Sequence, residues 1–206
     1  RRELRNMTGL SICHSADIGN QAGIPMPGLL WIRNGELMDS YIRIAGIIKE
    51  SIVDGPGIRM VVFAQGCKHN CSGCHNPGTH SFDGGTLITV DQILEKAKSN
   101  PMLDGITFSG GEPFEQAESF AVLAKKAKML SLNIVTYTGY TYEYLLKNSS
   151  RQRGWSELLG ETDILIDGRY EQDKRNLLIK FRGSENQRII DVKRSLDEGI
   201  VKILDL

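Results

Sequence analysis

The sequence has no excess of charge of either sign, since 25 Lys and Arg residues balance 25 Asp and Glu residues among 206 residues. Proteins that bind nucleic acid by neutralising phosphates usually carry a basic excess, so the composition disfavours that class. The sequence also lacks any apolar run near the roughly 20 residues that a membrane-spanning helix needs. With 40% apolar and 24% charged residues, the chain has the composition of an ordinary globular protein. We therefore expect a globular fold and no nucleic-acid or membrane partner.

Cysteine is scarce and unevenly placed. Cys67, Cys71 and Cys74 lie within eight residues, and the fourth cysteine, Cys13, lies far from them. A disulfide framework spreads its cysteines along the chain, and the sequence also lacks the pattern of an export signal. The clustered thiols therefore predict a metal or redox site in a reducing cytoplasm, with Cys13 an ordinary free thiol.

The first 38 residues lack the patterning of the rest. All 12 lysines lie at Lys49 or later, and Gly, Pro and Asn are scattered without period between residues 19 and 28. Met38, just before the first patterned segment, would be a natural start. We expect residues 1–38 to form an irregular extension or leader and residues 39–206 to form the functional domain.

From Tyr41 onwards, strand and helix patterns alternate. Runs of β-branched residues predict strands, and the capping-box spacing from Thr89 to Gln92 predicts the start of a helix. The predicted strands are 41–48, 58–63, 105–108, 132–136 and 164–166, and the predicted helices are 89–100, 114–127 and 141–146. Such alternation is typical of a parallel α/β sheet or a partial barrel, with ligands at the carboxyl ends of the strands.

The three clustered cysteines follow the predicted strand 58–63 directly. Soft thiolates at spacings of four and three residues favour an iron–sulfur cluster or zinc. Three ligands on a cubane of four irons leave one iron open to a substrate. A structural zinc site is the alternative, because His69, His75 and His80 lie nearby. Such sites usually use a second cysteine pair further along the chain, which this sequence lacks.

A second candidate site follows the predicted strand 105–108. Gly110 and Gly111 would expose backbone groups to a ligand, and the carboxylate of Glu112 could hold an ammonium group. The same segment could instead be a simple turn with Pro113 at the first helical position. Asp54, Arg59 and Asp167 should lie near the same rim, where we expect them to form salt bridges or cap turns.

The CxxxCxxC spacing followed by Gly-Gly-Glu-Pro resembles the radical S-adenosylmethionine (SAM) superfamily. Within it, the segments VDGPGIR (53–59), CHNP (74–77) and FDGG (82–85) resemble activases of glycyl-radical enzymes. The segments TYTGYT (136–141), DILIDGRY (163–170) and FRGSENQRIIDV (181–192) are similar to activating proteins of the anaerobic (class III) ribonucleotide reductases. The resemblance covers about residues 41–204.

The resemblance implies a partial (β/α)6-type radical SAM barrel with parallel strands. It implies an oxidoreductase that reductively cleaves SAM at a [4Fe-4S] cluster and generates the glycyl radical of the anaerobic reductase. Cys67, Cys71 and Cys74 would be the catalytic cluster ligands. The implied SAM contacts are Gly73, Cys74, His75, Gly110, Gly111 and Glu112. The implied partners are the glycyl-radical subunit and a low-potential electron donor such as flavodoxin.

Three alternatives remain at this point. The same chemistry could serve another glycyl-radical enzyme of the pyruvate formate-lyase type, although segment 181–192 favours the reductase. A radical SAM enzyme that acts on a small molecule, such as a deazapurine synthase, would turn over without a protein partner. A zinc-stabilised binding module would be colourless and without catalysis.

Overall fold

The computed structural model describes residues 32–33, 36–37 and 40–206. Cys13 and the predicted boundary at residue 38 lie outside the described residues. Of the predicted irregular extension, residues 1–38, the structure describes only two short strands. These are β1 (Ile32–Arg33) and β2 (Glu36–Leu37), which pair with each other in antiparallel fashion.

The remaining strands and helices alternate along residues 41–198. The strands are β3 (Tyr41–Ser51), β4 (Arg59–Ala64), β5 (Thr86–Thr89), β6 (Gly105–Gly110), β7 (Asn133–Tyr137), β8 (Ile164–Asp167) and β9 (Arg188–Asp191). The helices are α1 (Val90–Lys98), α2 (Ala117–Lys128), α3 (Tyr142–Asn148), α4 (Trp155–Glu161) and α5 (Val192–Glu198). Helix α1 begins as predicted, because Thr89 and Gln92 exchange the two hydrogen bonds of a capping box.

Seven of these strands form one mixed sheet in the order β5-β3-β4-β6-β7-β8-β9. The four central strands, β4, β6, β7 and β8, are parallel, which confirms the predicted α/β sheet. The outer strands β3, β5 and β9 run antiparallel to their neighbours, so the prediction of parallel strands is wrong for them. For β3 the cause is the short turn to β4, since only a longer crossover can return a chain parallel to itself.

Alternate residues of each central strand face opposite sides of the sheet. On one side, the helices and the strand residues Val62, Phe108 and Ile134 form the main apolar cluster. On the other side, Val135, Ile166 and Ile189 form a smaller cluster. Burial on both sides explains why the central strands read as continuous apolar runs.

Candidate functional site

A cavity of about 870 Å³ lies against the second face of the sheet and reaches the carboxyl ends of β4, β6 and β7. The side chains of Phe63, Ser109 and Tyr137 line it from the strands. The predicted rim is therefore a real feature, since the segments that follow these three strands meet around one space.

The cysteine loop, residues 66–76, forms one wall of this cavity. Its start is fixed by backbone hydrogen bonds from Gly66 to Thr79 (2.8 Å) and from Cys67 to His80 (3.1 Å). Asn70 and Gly73 adopt left-handed backbone conformations, with φ of 49° and 69°. These residue types accept positive φ at low cost, which lets the loop wind tightly between its three thiols.

All three motif cysteines are half-buried and line the cavity, as the sequence predicts. Burial raises the pKa of Cys67, and burial with the neighbouring Cys74 raises the pKa of Cys71. Free thiols here are therefore protonated more readily than usual, and deprotonated thiolates need a cation to stabilise them.

The donor set fits an iron–sulfur cluster better than a single metal ion. Within residues 40–206, no three His, Cys, Asp or Glu side chains converge at the spacing that one ion requires. A cluster of several irons spreads its thiolate ligands further apart, and three soft thiolates around an open cavity match that need. Of the histidines suggested for zinc, His69 is bonded to Glu112 and His75 packs against Tyr170.

The glycine turn, residues 110–112, forms the neighbouring wall. Gly111 donates its backbone N–H to Ala64 (2.8 Å), and Glu112 donates its own to Gly66 (2.9 Å). Gly110 has φ of 88°, and a Cβ atom there would overlap Phe63. Glycine is therefore required where the turn crosses the end of β4. The structure brings this turn into direct contact with the start of the cysteine loop.

The predicted ligand-binding residues occupy different positions in this arrangement. Gly110, Gly111, Cys74 and His75 line the cavity. Gly73 and Glu112 do not: Gly73 lies against the side chain of Gln172, and Glu112 is fully buried behind the turn.

The Glu112 carboxylate is bound entirely by protein donors. It accepts hydrogen bonds from His69 Nε2 (2.8 Å), the Gly139 amide (2.9 Å) and the Phe114 amide (3.1 Å). The hydroxyl of Thr138 lies 3.0 and 3.1 Å from its two oxygens. Such donors are what a buried carboxylate needs, because an unpaired one would be costly.

Asp54, Arg59 and Asp167 were expected near the rim in salt bridges or turn caps, and the structure places them differently. Asp167 is buried at the end of β8 and pairs with Arg188, as expected. Asp54 accepts a hydrogen bond from Ser51 at 2.5 Å and lines the cavity. Arg59 is not at the predicted rim. It is the first residue of β4, at the opposite end of the parallel strands.

The far wall of the cavity is formed by residues 177–183, to which sequence reasoning assigned no position. Tyr137 donates its hydroxyl to the Phe181 carbonyl (2.8 Å), and this bond ties the wall to the end of β7. Leu177 and Leu178 line the cavity mouth with 73% and 93% of their surface exposed. The signals in the sequence are the adjacent Leu177 and Leu178, which lie outside any periodic pattern, and the segment 181–192, which overlaps the end of this wall.

Comparisons with known proteins agree with this geometry. The family described as "4Fe-4S single cluster domain" matches residues 53–190. The chain is 36% identical to the anaerobic ribonucleoside-triphosphate reductase-activating protein of Enterobacteria phage T4, over 66% of this chain and 86% of that protein. It is 35% identical to the protein of the same name from Vibrio cholerae, over 67% of this chain and 90% of that protein.

Two further similarities are more limited. The chain is 38% identical to the pyruvate formate-lyase-activating enzyme of Clostridium pasteurianum, over 68% of this chain but 58% of that enzyme. The solved structure of QueE from Escherichia coli covers 49% of this chain at 14% identity with a TM-score of 0.36, too low to inform the fold. In the part of the chain that the structure describes, no helix has the length and apolar character needed to cross a bilayer.

Proposed function

The chain belongs to the family of anaerobic ribonucleoside-triphosphate reductase-activating proteins, and from this premise we propose that it generates the glycyl radical of that reductase. It is a radical SAM oxidoreductase, and its cofactors are a [4Fe-4S] cluster and SAM. The observation that carries this proposal is the meeting of three half-buried thiols and a glycine turn around one cavity.

When bound, the cluster supplies one electron that cleaves SAM to methionine and a 5′-deoxyadenosyl radical, which takes a hydrogen atom from a glycine of the reductase. The protein contributes binding, orientation and exclusion of water. Cys67, Cys71 and Cys74 hold the cluster through their thiolates. The sheet forms one side of the cavity and segment 177–183 forms the other, so both orient what binds between them.

Gly110 and Gly111 are placed to bind SAM through their backbone. Without side chains, they let the ligand approach the turn closely, and both line the cavity beside the cysteine loop. Cys74 and His75 form the adjacent surface, with the His75 ring held against Tyr170 at 4.6 Å between centroids. Gly73 contributes indirectly, by setting the left-handed turn before Cys74.

The electron donor is a low-potential protein such as flavodoxin, and the site of action is the cytoplasm. Clustered free thiols suit a reducing compartment, where they stay available for cluster assembly. Neither nucleic acid nor a membrane is a partner in this function, in line with the balanced charge of the chain.

We interpret the sheet as a partial barrel of the (β/α)6 type that has lost parallel strands at its edges. Support comes from its two faces: helices cover one, and the other carries the cavity together with buried polar groups such as Arg59 and Thr107. Barrel enzymes bind their ligands at the carboxyl ends of the strands, which this cavity also reaches.

The decisive experiment is anaerobic reconstitution of the chain with iron and sulfide, followed by reduction in the presence of SAM. We expect a brown, oxygen-sensitive protein with about four irons per chain that forms methionine and 5′-deoxyadenosine. With the anaerobic reductase present, a glycyl-radical signal should appear in the electron paramagnetic resonance spectrum. Cys71→Ala should abolish colour and SAM cleavage, whereas Cys13→Ala, the matched control, should keep both.

The outcomes separate the parts of the proposal. SAM cleavage without a radical on the reductase would contradict the assigned partner, while the assigned SAM chemistry would stand. Retained cleavage in Cys71→Ala would overturn the ligand assignment. A colourless protein with about one zinc per chain would favour a binding module instead.

Activation of a pyruvate formate-lyase is the second candidate, because the Clostridium pasteurianum enzyme is 38% identical to this chain. That match covers 58% of the longer enzyme, against 86% and 90% for the two reductase activators. The reconstituted protein is incubated with each glycyl-radical enzyme in parallel. The enzyme that acquires the radical is the partner.

A further inference from the structure

Within the proposed function, we propose that His69 and Glu112 are positioning residues that lock the cysteine loop onto the glycine turn, and that the Glu112 carboxylate does not contact the ligand. His69 lies between Cys67 and Cys71, and Glu112 ends the turn formed with Gly110 and Gly111. Their side chains meet at 2.8 Å between Nε2 and Oε2.

The Glu112 carboxylate has no free capacity for a ligand. A carboxylate offers about four lone-pair sites. Four donors already occupy them: the His69 ring, the Thr138 hydroxyl and the amides of Phe114 and Gly139. The residue is also 0% exposed, while its neighbours on the turn line the cavity. A ligand ammonium group would have to displace a protein donor to reach it.

His69 is fixed as firmly as its partner. Its side chain is 4% exposed, and its ring packs edge-on against Tyr140 with 4.5 Å between centroids. A Cβ atom on Gly139 would overlap the ring, so the end of β7 leaves just enough room for it. Nδ1 has no hydrogen-bond partner among the described residues, which makes Glu112 the sole polar contact of the ring.

The pair adds a side-chain link to a backbone link. The Glu112 amide donates to the Gly66 carbonyl, one residue before Cys67, while its carboxylate holds His69, two residues after Cys67. Glu112 is therefore hydrogen-bonded to the loop on both sides of Cys67. The distance between the thiols and the backbone of the glycine turn is set by this double contact.

The test compares variants that keep or remove the donor at the Nε2 position. His69→Gln places an amide N–H near that position, whereas His69→Asn reaches only as far as Nδ1 and His69→Leu has no donor. Glu112→Gln removes the charge from the partner, and His69→Leu combined with Glu112→Gln completes a double-mutant cycle. Lys68→Ala, an exposed neighbour on the same loop, is the control.

Two quantities are measured: the Kd of SAM for the cluster-loaded protein, and the free energy of unfolding of the cluster-free protein. We expect His69→Leu and Glu112→Gln each to raise the Kd about tenfold. The double variant should raise the Kd by less than the product of the two single effects, because both substitutions act on the same link. His69→Gln should stay close to the unchanged protein, with His69→Asn resembling His69→Leu. The unfolding free energies should show the same non-additivity.

Other results would overturn the proposal. If Glu112→Gln weakens SAM binding while His69→Leu leaves it unchanged, the carboxylate touches the ligand directly. Additive effects in the cycle would mean that the two residues act separately. If His69→Leu does not fold, the comparison of His69→Gln with His69→Asn decides, and equal Kd values for these two would contradict the link. If no variant binds a cluster, the proposed function fails, and the unfolding cycle still tests the pair.

Discussion

Arg59 is the largest fully buried side chain in the described part of the chain, and it lies at the start of β4, at the opposite end of the parallel strands from the cavity rim. Its guanidinium donates to Thr107 Oγ1 and Asn133 Oδ1, both at 2.6 Å, and to the carbonyls of Pro56 and Ile106. Burial lowers the pKa of Arg59 to about 10. The charge is therefore costly to hold, and only its many acceptors keep it in place.

Replacing Arg59 with methionine should lower the free energy of unfolding by about 3 kcal/mol, because buried acceptors lose their donor. Urea unfolding of the cluster-free protein at neutral pH measures this change. The control is Arg153→Met, at a side chain that is 65% exposed and paired with Glu118. It should change stability by less than about 0.5 kcal/mol. Equal effects at the two positions would contradict the role of the buried network.

At the scale of single residues, the sequence predicts which thiols lie at the site better than it predicts the hydrogen bonds around them. The spacing of Cys67, Cys71 and Cys74 predicts cluster ligands, and the structure places all three thiols half-buried at one cavity. The hydrogen bonds of the Glu112 carboxylate come from distant parts of the chain. His69 lies on the cysteine loop, and Thr138 and Gly139 follow strand β7. That convergence is a long-range property of the fold, so local spacing carries no sign of it.

Between elements, Arg188 joins the start of α3 to β9 and the end of β8. It donates to both carboxylate oxygens of Glu143, at 2.9 and 2.8 Å, and pairs with Asp167. The hydrogen bonds from Arg188 hold the pKa of Glu143 below its usual range. This ion pair therefore stabilises the edge of the sheet that β9 completes.

The Glu143 contribution should disappear in acid. Because the folded state holds its pKa below the unfolded value of 4.5, the unfolded state takes up the proton first as pH falls. The stabilisation is present above about pH 4.5 and is lost as pH falls through the folded pKa. Its size at neutral pH is about 0.5 kcal/mol, since the carboxylate is half-exposed.

Unfolding free energies of Glu143→Gln and the unchanged protein should therefore differ at pH 7 and converge toward pH 3. Glu157→Gln, at an exposed glutamate in the first turn of α4, serves as the control for removing a carboxylate near a helix N-terminus. A difference for Glu143→Gln that persists unchanged at pH 3 would exclude the ion pair as its source.

Element prediction from the sequence succeeds where a local signal exists. The capping box at Thr89 and the apolar runs of β4, β6 and β7 predict elements that the structure confirms. Helix α4 was not predicted, because it follows a left-handed Gly154 and has no side-chain cap. Strands β5 and β9 are not among the predicted strands, whereas β8, also four residues long, is predicted from its run of three apolar residues.

At the scale of the whole molecule, every strand of the main sheet and every helix packed on it lies between residues 41 and 198. The family match at residues 53–190 falls within the same span. The matched region therefore lies inside the structural unit, and the functional domain predicted for residues 39–206 stays a prediction.

A chain that begins at Met38 should keep the stability and cluster uptake of the full chain. Within the described part of the chain, residues 42–204 form both apolar clusters, so we expect the Tm to change by less than about 2 °C. Thermal unfolding and iron content, measured side by side on both chains, test this. A large fall in either would assign residues 1–37 a part in the fold or the site.

The anchoring of the cysteine loop has a consequence for damage and repair. Its hydrogen bonds to Thr79, His80 and Glu112 are made by the polypeptide alone and involve no sulfur. If oxygen destroys the cluster, these hydrogen bonds remain and still hold the loop. We therefore expect the cluster-free protein to keep this loop in place, so that iron, sulfide and reduced thiols suffice to rebuild the cluster.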